Sequence, residues 1–156
     1  MSYRTVEMIS QQALQGLLKL SPLSSVEEKY IETLQAMMEC GVADSGDVIR
    51  ASGELKSALY IVVSGRVQLR YDGISEPLAT LQFGDAFGLL SVLFPAPQEI
   101  EVICLEPAKF VSLDEGALRM IELSQPQLAI EIIRAIRVYC APMIAQLVPL
   151  LLKLAK

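Results

Sequence analysis

Six of the chain's nine glycines fall between Asp44 and Leu113, at 46, 53, 65, 73, 84 and 88, with short β-prone runs between them. No helix tolerates glycine at that density, because each interior glycine costs roughly 0.5–1 kcal/mol relative to alanine. The segment therefore reads as strands joined by tight turns. The clearest run is LYIVVSGRVQLRY. Beyond Gly65, Val67, Leu69 and Tyr71 alternate with Arg66, Gln68 and Arg70, placing apolar groups on one face of a strand and polar groups on the other. Asp72-Gly73 supplies a turn. Further strands are predicted over 78–82, 101–105 and 109–113, with FGLLSVL as a short helix between them. Asp44 and Asp47 beside Gly46 are turn residues, since they lack the D-x-D-x-D-G spacing of a cation loop.

The flanks have a helical period. Val6, Ile9, Ala13, Leu17 and Leu20 keep a spacing of three to four until Ser21-Pro22 breaks it. A second helix is predicted from Ser25 as its cap, with Glu27 and Glu28 in the first turn, as far as Cys40-Gly41. From Glu115 the chain is helical again, and Ile133, Ile136, Cys140, Met143, Leu147, Leu150 and Leu154 form an apolar heptad seam. Tyr139, Ala145, Val148 and Leu151 widen it. Such a seam serves a dimer or folds back on its own domain. Pro142 and Pro149, seven apart on one face, either bend this helix in one direction or divide it near Pro142.

Composition narrows the chemistry. Lys plus Arg total 13 against 18 Asp plus Glu, a net charge of −5, and the pI of about 4.8 argues against nucleic acid as a partner. The absence of histidine removes Ser-His-Asp and Cys-His nucleophiles and every His-containing metal site. Cys40, Cys104 and Cys140 are too far apart for a zinc motif and odd in number for a disulfide framework, so they are expected to be buried thiols in a cytoplasmic protein. No secretory leader is visible in MSYRTVEMIS. The longest uncharged run, 138–152, is shorter than the roughly 20 residues that a transmembrane helix needs. Yet 53% of residues are hydrophobic and mean hydropathy is +0.44, more than one small core requires. The excess is concentrated in the terminal seam, which points to association.

The order and spacing of SGDVIRASGE, LYIVVSGRVQL, LATLQFGDAFGLLSVLFPAPQEIEV and LDEGALRMIELSQPQLAIEIIRAI resemble the cyclic nucleotide-binding domain family over about 26–136. The likeness is to the effector half of catabolite activator protein-like regulators. It implies an α+β fold in one domain: an antiparallel β jelly roll (a double-stranded β-helix) flanked by N-terminal helices and a long C-terminal helix. The corresponding ranges are 1–43, 44–114 and 115–156. In the family, a short helix opening with Phe-Gly-Glu offers backbone N–H groups to the cyclic phosphate. Its Glu holds the ribose 2′-hydroxyl, and a later Arg pairs with the phosphate.

The corresponding ligand positions here are Phe87, Gly88, Leu89, Leu90, Gln98 and Glu99, so leucine stands in place of the carboxylate and glutamine in place of the arginine. No Lys or Arg lies between Arg70 and Lys109 to compensate for a shift in alignment. Leaving a phosphate without its charged partner costs about 2–5 kcal/mol, or roughly 30- to 5,000-fold in affinity.

The resemblance also implies a dimer along the C-terminal helix, while a chain ending at Lys156 leaves no room for a DNA-reading domain. The expectation is a non-catalytic regulatory or interaction module. It is homodimeric, needs no cofactor or metal, does not bind cyclic AMP or cyclic GMP in the usual way, and passes its output to a partner protein. The alternative is a small-molecule sensor whose pocket, lined by residues such as Leu89 and Leu90, takes a cyclic nucleotide by other contacts or a less charged ligand. An enzyme reading has only Glu99 and Glu101 behind it, two apart on a strand.

Overall fold

The computed structural model describes residues 3–51, 53, 57–71, 73–93 and 100–154, the side chains of 90, 93, 143, 144, 146–148 and 150–154 apart. One antiparallel sheet runs in the order β1 (Arg4–Val6), β2 (Glu39–Ala43), β9 (Ala108–Asp114), β4 (Ala58–Ser64) and β7 (Ala86–Phe87). The other runs β3 (Val48–Arg50), β8 (Ile100–Cys104), β5 (Val67–Tyr71) and β6 (Ala79–Leu81). Five α-helices are described: α1 (Gln11–Lys19), α2 (Ile31–Met37), α3 (Leu89–Leu93), α4 (Glu115–Ser124) and α5 (Pro126–Leu154).

Strand β4 explains the layering. Its residues ALYIV are all buried, which an apolar run achieves when both faces of a sheet are covered. Leu59 and Ile61 join a core shared with the helices, while Ala58, Tyr60 and Val62 join a second core inside the roll. β9 divides in the same way, with Val111 and Leu113 toward the helices and Ala108 and Phe110 toward the roll. The period of two thus sorts one strand into two cores.

The second sheet closes the roll as the alternation predicted. Val67 is buried and Leu69 packs against the inner core, whereas Tyr71, at the strand end, is exposed. The LYIVVSGRVQLRY run is two strands, β4 and β5, with the corner at Gly65. There φ is +81°, and a Cβ would overlap the Pro107 carbonyl and Ala108, so both backbone conformation and space demand glycine.

Three expectations at the flanks are corrected. Residues 4–6 form a strand, not a helix start, because β2 offers an otherwise open edge to which β1 pairs, Val6 opposite Cys40. The helix begins later, capped by Ser10, whose Oγ accepts from the Ala13 N–H at 3.1 Å. The second helix begins with a 3-10 turn at Glu28–Tyr30, not with a Ser25 cap, and stops at Met37. Cys40 and Ala43 then bury on opposite faces of β2, so the sheet structure starts at 39 and not at 44.

Helix α5 runs unbroken for 29 residues through Pro142 and Pro149. Both prolines are exposed, so carbonyls left without a helical donor have access to water. Along its first half Leu128, Ile132, Ala135, Ile136 and Cys140 pack into the helical-side core.

Ala replacing Gly65 is expected to cost about 2–5 kcal/mol, conformational strain plus overlap, in urea unfolding. Gly73→Ala, at the same φ of +81° but with open space around it, should cost only about 1–2 kcal/mol. Equal losses would mean that the Pro107 approach contributes nothing.

Candidate functional site

The segment that the sequence marks as ligand-binding is the step from β7 into α3. Phe87 is buried in the roll, its ring stacked on Tyr60 at 4.6 Å with 4° between planes. Tyr60 in turn meets Phe110 edge-on at 5.8 Å, and Tyr3 closes on Phe110 at 5.0 Å. Gly88 has φ +81°, and a side chain there would strike the Ala58 carbonyl. Ser91 locks this approach: its Oγ lies 2.6 Å from the Gly88 carbonyl and 3.3 Å from both the N–H and the carbonyl of Ala58. Helix α3 is thereby pinned to the central strand.

Leu89 is buried and belongs to the helical-side core with Leu59 and Ile61, not to the roll interior. Leu89 is thus a packing residue; burying such a side chain stabilises by about 1.5–3 kcal/mol. The side chain of Leu90 and the whole of Gln98 and Glu99 lie outside the described residues. Glu101 is half-buried on β8, opposite Arg70 of β5.

Of the seam residues, Ile136 and Cys140 are fully covered by the chain's own domain and Ile133 is half-buried. The side chains of Met143, Leu147, Leu150 and Leu154 lie outside the described ones. Among the described residues, the large apolar side chains that α4 and α5 expose are Met120, Leu123, Ile130, Val138 and Tyr139, the last of them on the widened seam. Ile136 and Cys140 face inward because α5 lies over the sheet, whose outer face needs cover. Beside the exposed side chains runs a groove of about 380 Å³ lined by Glu122, Pro126, Ala129, Ile130, Ile133 and Arg137.

The sequence reading passed over Arg50. It is 2% exposed, and among the described residues it is the one charged side chain that is buried. Simple alternation from Val48, which pairs with Ile103, would place Arg50 opposite Glu101 on the outer face. A register shift between Val48 and Arg50 sets it opposite Val102 instead. Residues directly opposite share a face, and Val102 lies in the inner core, so the bulge turns Arg50 into the roll. An Arg between Ile49 and Ala51 in a glycine-bounded strand was the available signal.

The family model described as the cyclic nucleotide-binding domain matches residues 42–122, just over half of the chain. The chain belongs to this family. The domain is 28% identical over 114 residues to a CRP-like cAMP-activated global transcriptional regulator of Mycobacterium tuberculosis, covering 71% of this chain and 51% of that one. It is 33% identical over 97 residues to a cAMP-dependent protein kinase regulatory subunit of Yarrowia lipolytica, covering 62% and 25%. It therefore spans about half of the first relative and a quarter of the second. Among solved structures, a cyclic nucleotide-binding domain from Methylobacillus flagellatus superposes with a TM-score of 0.78 at 17% identity, over 97% of this chain and 89% of that one. That likeness confirms the jelly-roll fold with its flanking helices.

Among the described residues no group of three or more His, Cys, Asp or Glu is placed to hold a metal ion, and no helix is long and apolar enough to cross a membrane. Cys40, Cys104 and Cys140 are buried free thiols. Burial first, and then the charges of Asp47 and Asp44, push the Cys104 thiol up to about 11 from 9.0. The folded state therefore favours the protonated thiol, an advantage present below pH 9 and lost as pH rises toward 11. At pH 8 only about 0.1% of Cys104 is thiolate, so in the native domain it is expected to resist iodoacetamide that labels it fully in urea. Labelling at equal rates in both would contradict its burial.

Proposed function

We propose that this domain is a non-catalytic regulatory module that has given up the family's charged contacts to a cyclic nucleotide and works as a homodimer. The carrying observation is at the phosphate-binding step. Leu89 is committed to the helical core, and 71–108 contain no Lys or Arg. Neither the ribose nor the phosphate has its usual partner. The regulatory names of the relatives support a signalling role, and the three free buried cysteines suit a reducing compartment.

The dimer proposed here uses the exposed apolar side chains of α4 and α5, not Ile136 and Cys140, which the chain's own core covers. Leu123 and Val138 are 77% and 68% exposed, more than isolated surface residues of a monomer need. Glu122 and Arg137 border the same groove. Across a two-fold axis, the acid of one copy meets the base of the other, which makes the patch self-complementary. A second reading, a small-molecule sensor, is favoured by one observation: the buried Arg50.

Titration of the protein with cyclic AMP or cyclic GMP is expected to give no calorimetric signal in the micromolar range, and micromolar binding by the wild type overturns the reading. Gln98→Arg should strengthen cyclic AMP binding by roughly 30-fold or more, the inverse of the loss estimated for that contact. In light scattering the protein should weigh twice 17.1 kDa. Val138→Glu should halve that mass; a wild-type monomer at about 100 μM, well above a typical dimer Kd, removes the dimer.

A further inference from the structure

We propose that a pocket in the helical layer, outside the β-roll, binds one uncharged single-ring molecule with one polar substituent, and that its occupancy is passed to α5 through Glu27. The site is separate from the β7–α3 step and stands whether or not the roll takes a ligand. Three observations carry it.

The first is size and lining. The pocket measures about 180 Å³ and lies between α1, the 3-10 turn and α2. Its apolar part comes from Leu18, Leu23 and Leu34, all buried, with Val26 and Ile31 packed beside them. A cavity of roughly 150 Å³ lined by such side chains stays dry and admits benzene, so this one matches a single ring with a substituent. Unfilled apolar space costs stability, and one larger side chain at Val26 or Ile31 would reduce it.

The second is charge. Gln15, Lys19, Ser24, Glu27 and Glu28 complete the lining, each at least partly exposed. The charged groups are already matched: Lys19 of α1 pairs with Glu28 of the 3-10 turn at 4.0 Å, and Glu27 pairs with Lys29 at 3.4 Å. No charge is left over to hold an ionic ligand, and an ion would lose its hydration against the leucines. Gln15 and Ser24 are different. Among the described residues neither side chain has a hydrogen-bond partner, so both are available to a neutral polar substituent.

The third is the connection to α5. Glu27 is a wall of the pocket, and its backbone N–H donates to Oε1 of Glu131 on α5 at 2.9 Å. Thr33 of α2 accepts a second bond, from Nε2 of Gln125 just before α5, at 2.7 Å. A molecule seated between α1 and residues 23–34 therefore bears on a wall that α5 holds. That is the contiguous physical contact that coupling between two places requires.

The test uses the full chain with its leucine methyls labelled for NMR, phenol as the probe, and benzene and benzoate for comparison. Phenol should shift the methyls of Leu18, Leu23 and Leu34 saturably, with a Kd of roughly 0.1–1 mM, as for so small a ligand. Benzene, without the hydroxyl, should bind about fivefold more weakly. Benzoate should bind at least about tenfold more weakly. Val26→Phe fills the pocket and should abolish the shifts; Ile31→Phe, on a different element, does the same should the first variant not fold. The site is overturned by unmoved methyls at about 10 mM phenol, well above that Kd, by shifts confined to the inner core of the roll, or by binding that persists in a folded filling variant. Benzoate binding as tightly as phenol overturns the uncharged class. For the link, saturating phenol should slow hydrogen exchange in the first turns of α5, over 126–133, by about twofold or more. Glu131→Ala should remove that response while leaving the phenol Kd within about threefold. Exchange in α5 that bound phenol leaves unchanged overturns the link.

Discussion

Every layer of this domain depends on one sheet being covered on both faces. β4 lies between β9 and β7, and its side chains alternate between two cores that never mix. A strand in that position must be apolar at each residue, and ALYIV is. The sheet's outer face then has to be covered by helices, which draws the N-terminal helices, α4 and the first half of α5 onto it. Its inner face has to be covered by the second sheet, which makes the roll.

The same demand shapes the step from β7 into α3. Helix α3 follows directly from an edge strand of that sheet, and Ser91 ties it to Ala58. Once α3 packs on the sheet's outer face, Leu89 becomes a core residue. Along α5 the same logic holds: Ile136 and Cys140 cover the sheet, while Leu123 of α4 and Ile130 and Val138 of α5 stay exposed. An apolar stripe of heptad period records that a helix face is buried, but not against whom.

Much of this was legible in the residues. The glycine spacing and the alternation from Val67 to Leu69 located the strands, because turns need positive φ and half-buried strands need a period of two. The short helix after Phe87 and the start of α4 after residue 114 were likewise readable. What failed was at edges. Residues 4–6 carry a weak helical spacing, and only an open strand edge at β2 made them a strand. The Ser25 cap and the end of the second helix failed because Cys40 and Ala43 are worth more in the sheet than in a last helical turn.

The sequence by itself determined the family fold, the absence of histidine chemistry, and the uncharged residues that stand at 89 and 98. Each of these depends on residue type and spacing alone. Only the tertiary structure decided where the side chains on β3 point. A bulge of one residue moves a side chain to the other face of a sheet, since the strand period is two. It depends on how β3 meets β8, a pairing between residues more than fifty positions apart. That shift is why Arg50 lies inside the roll and not beside Glu101 on its surface.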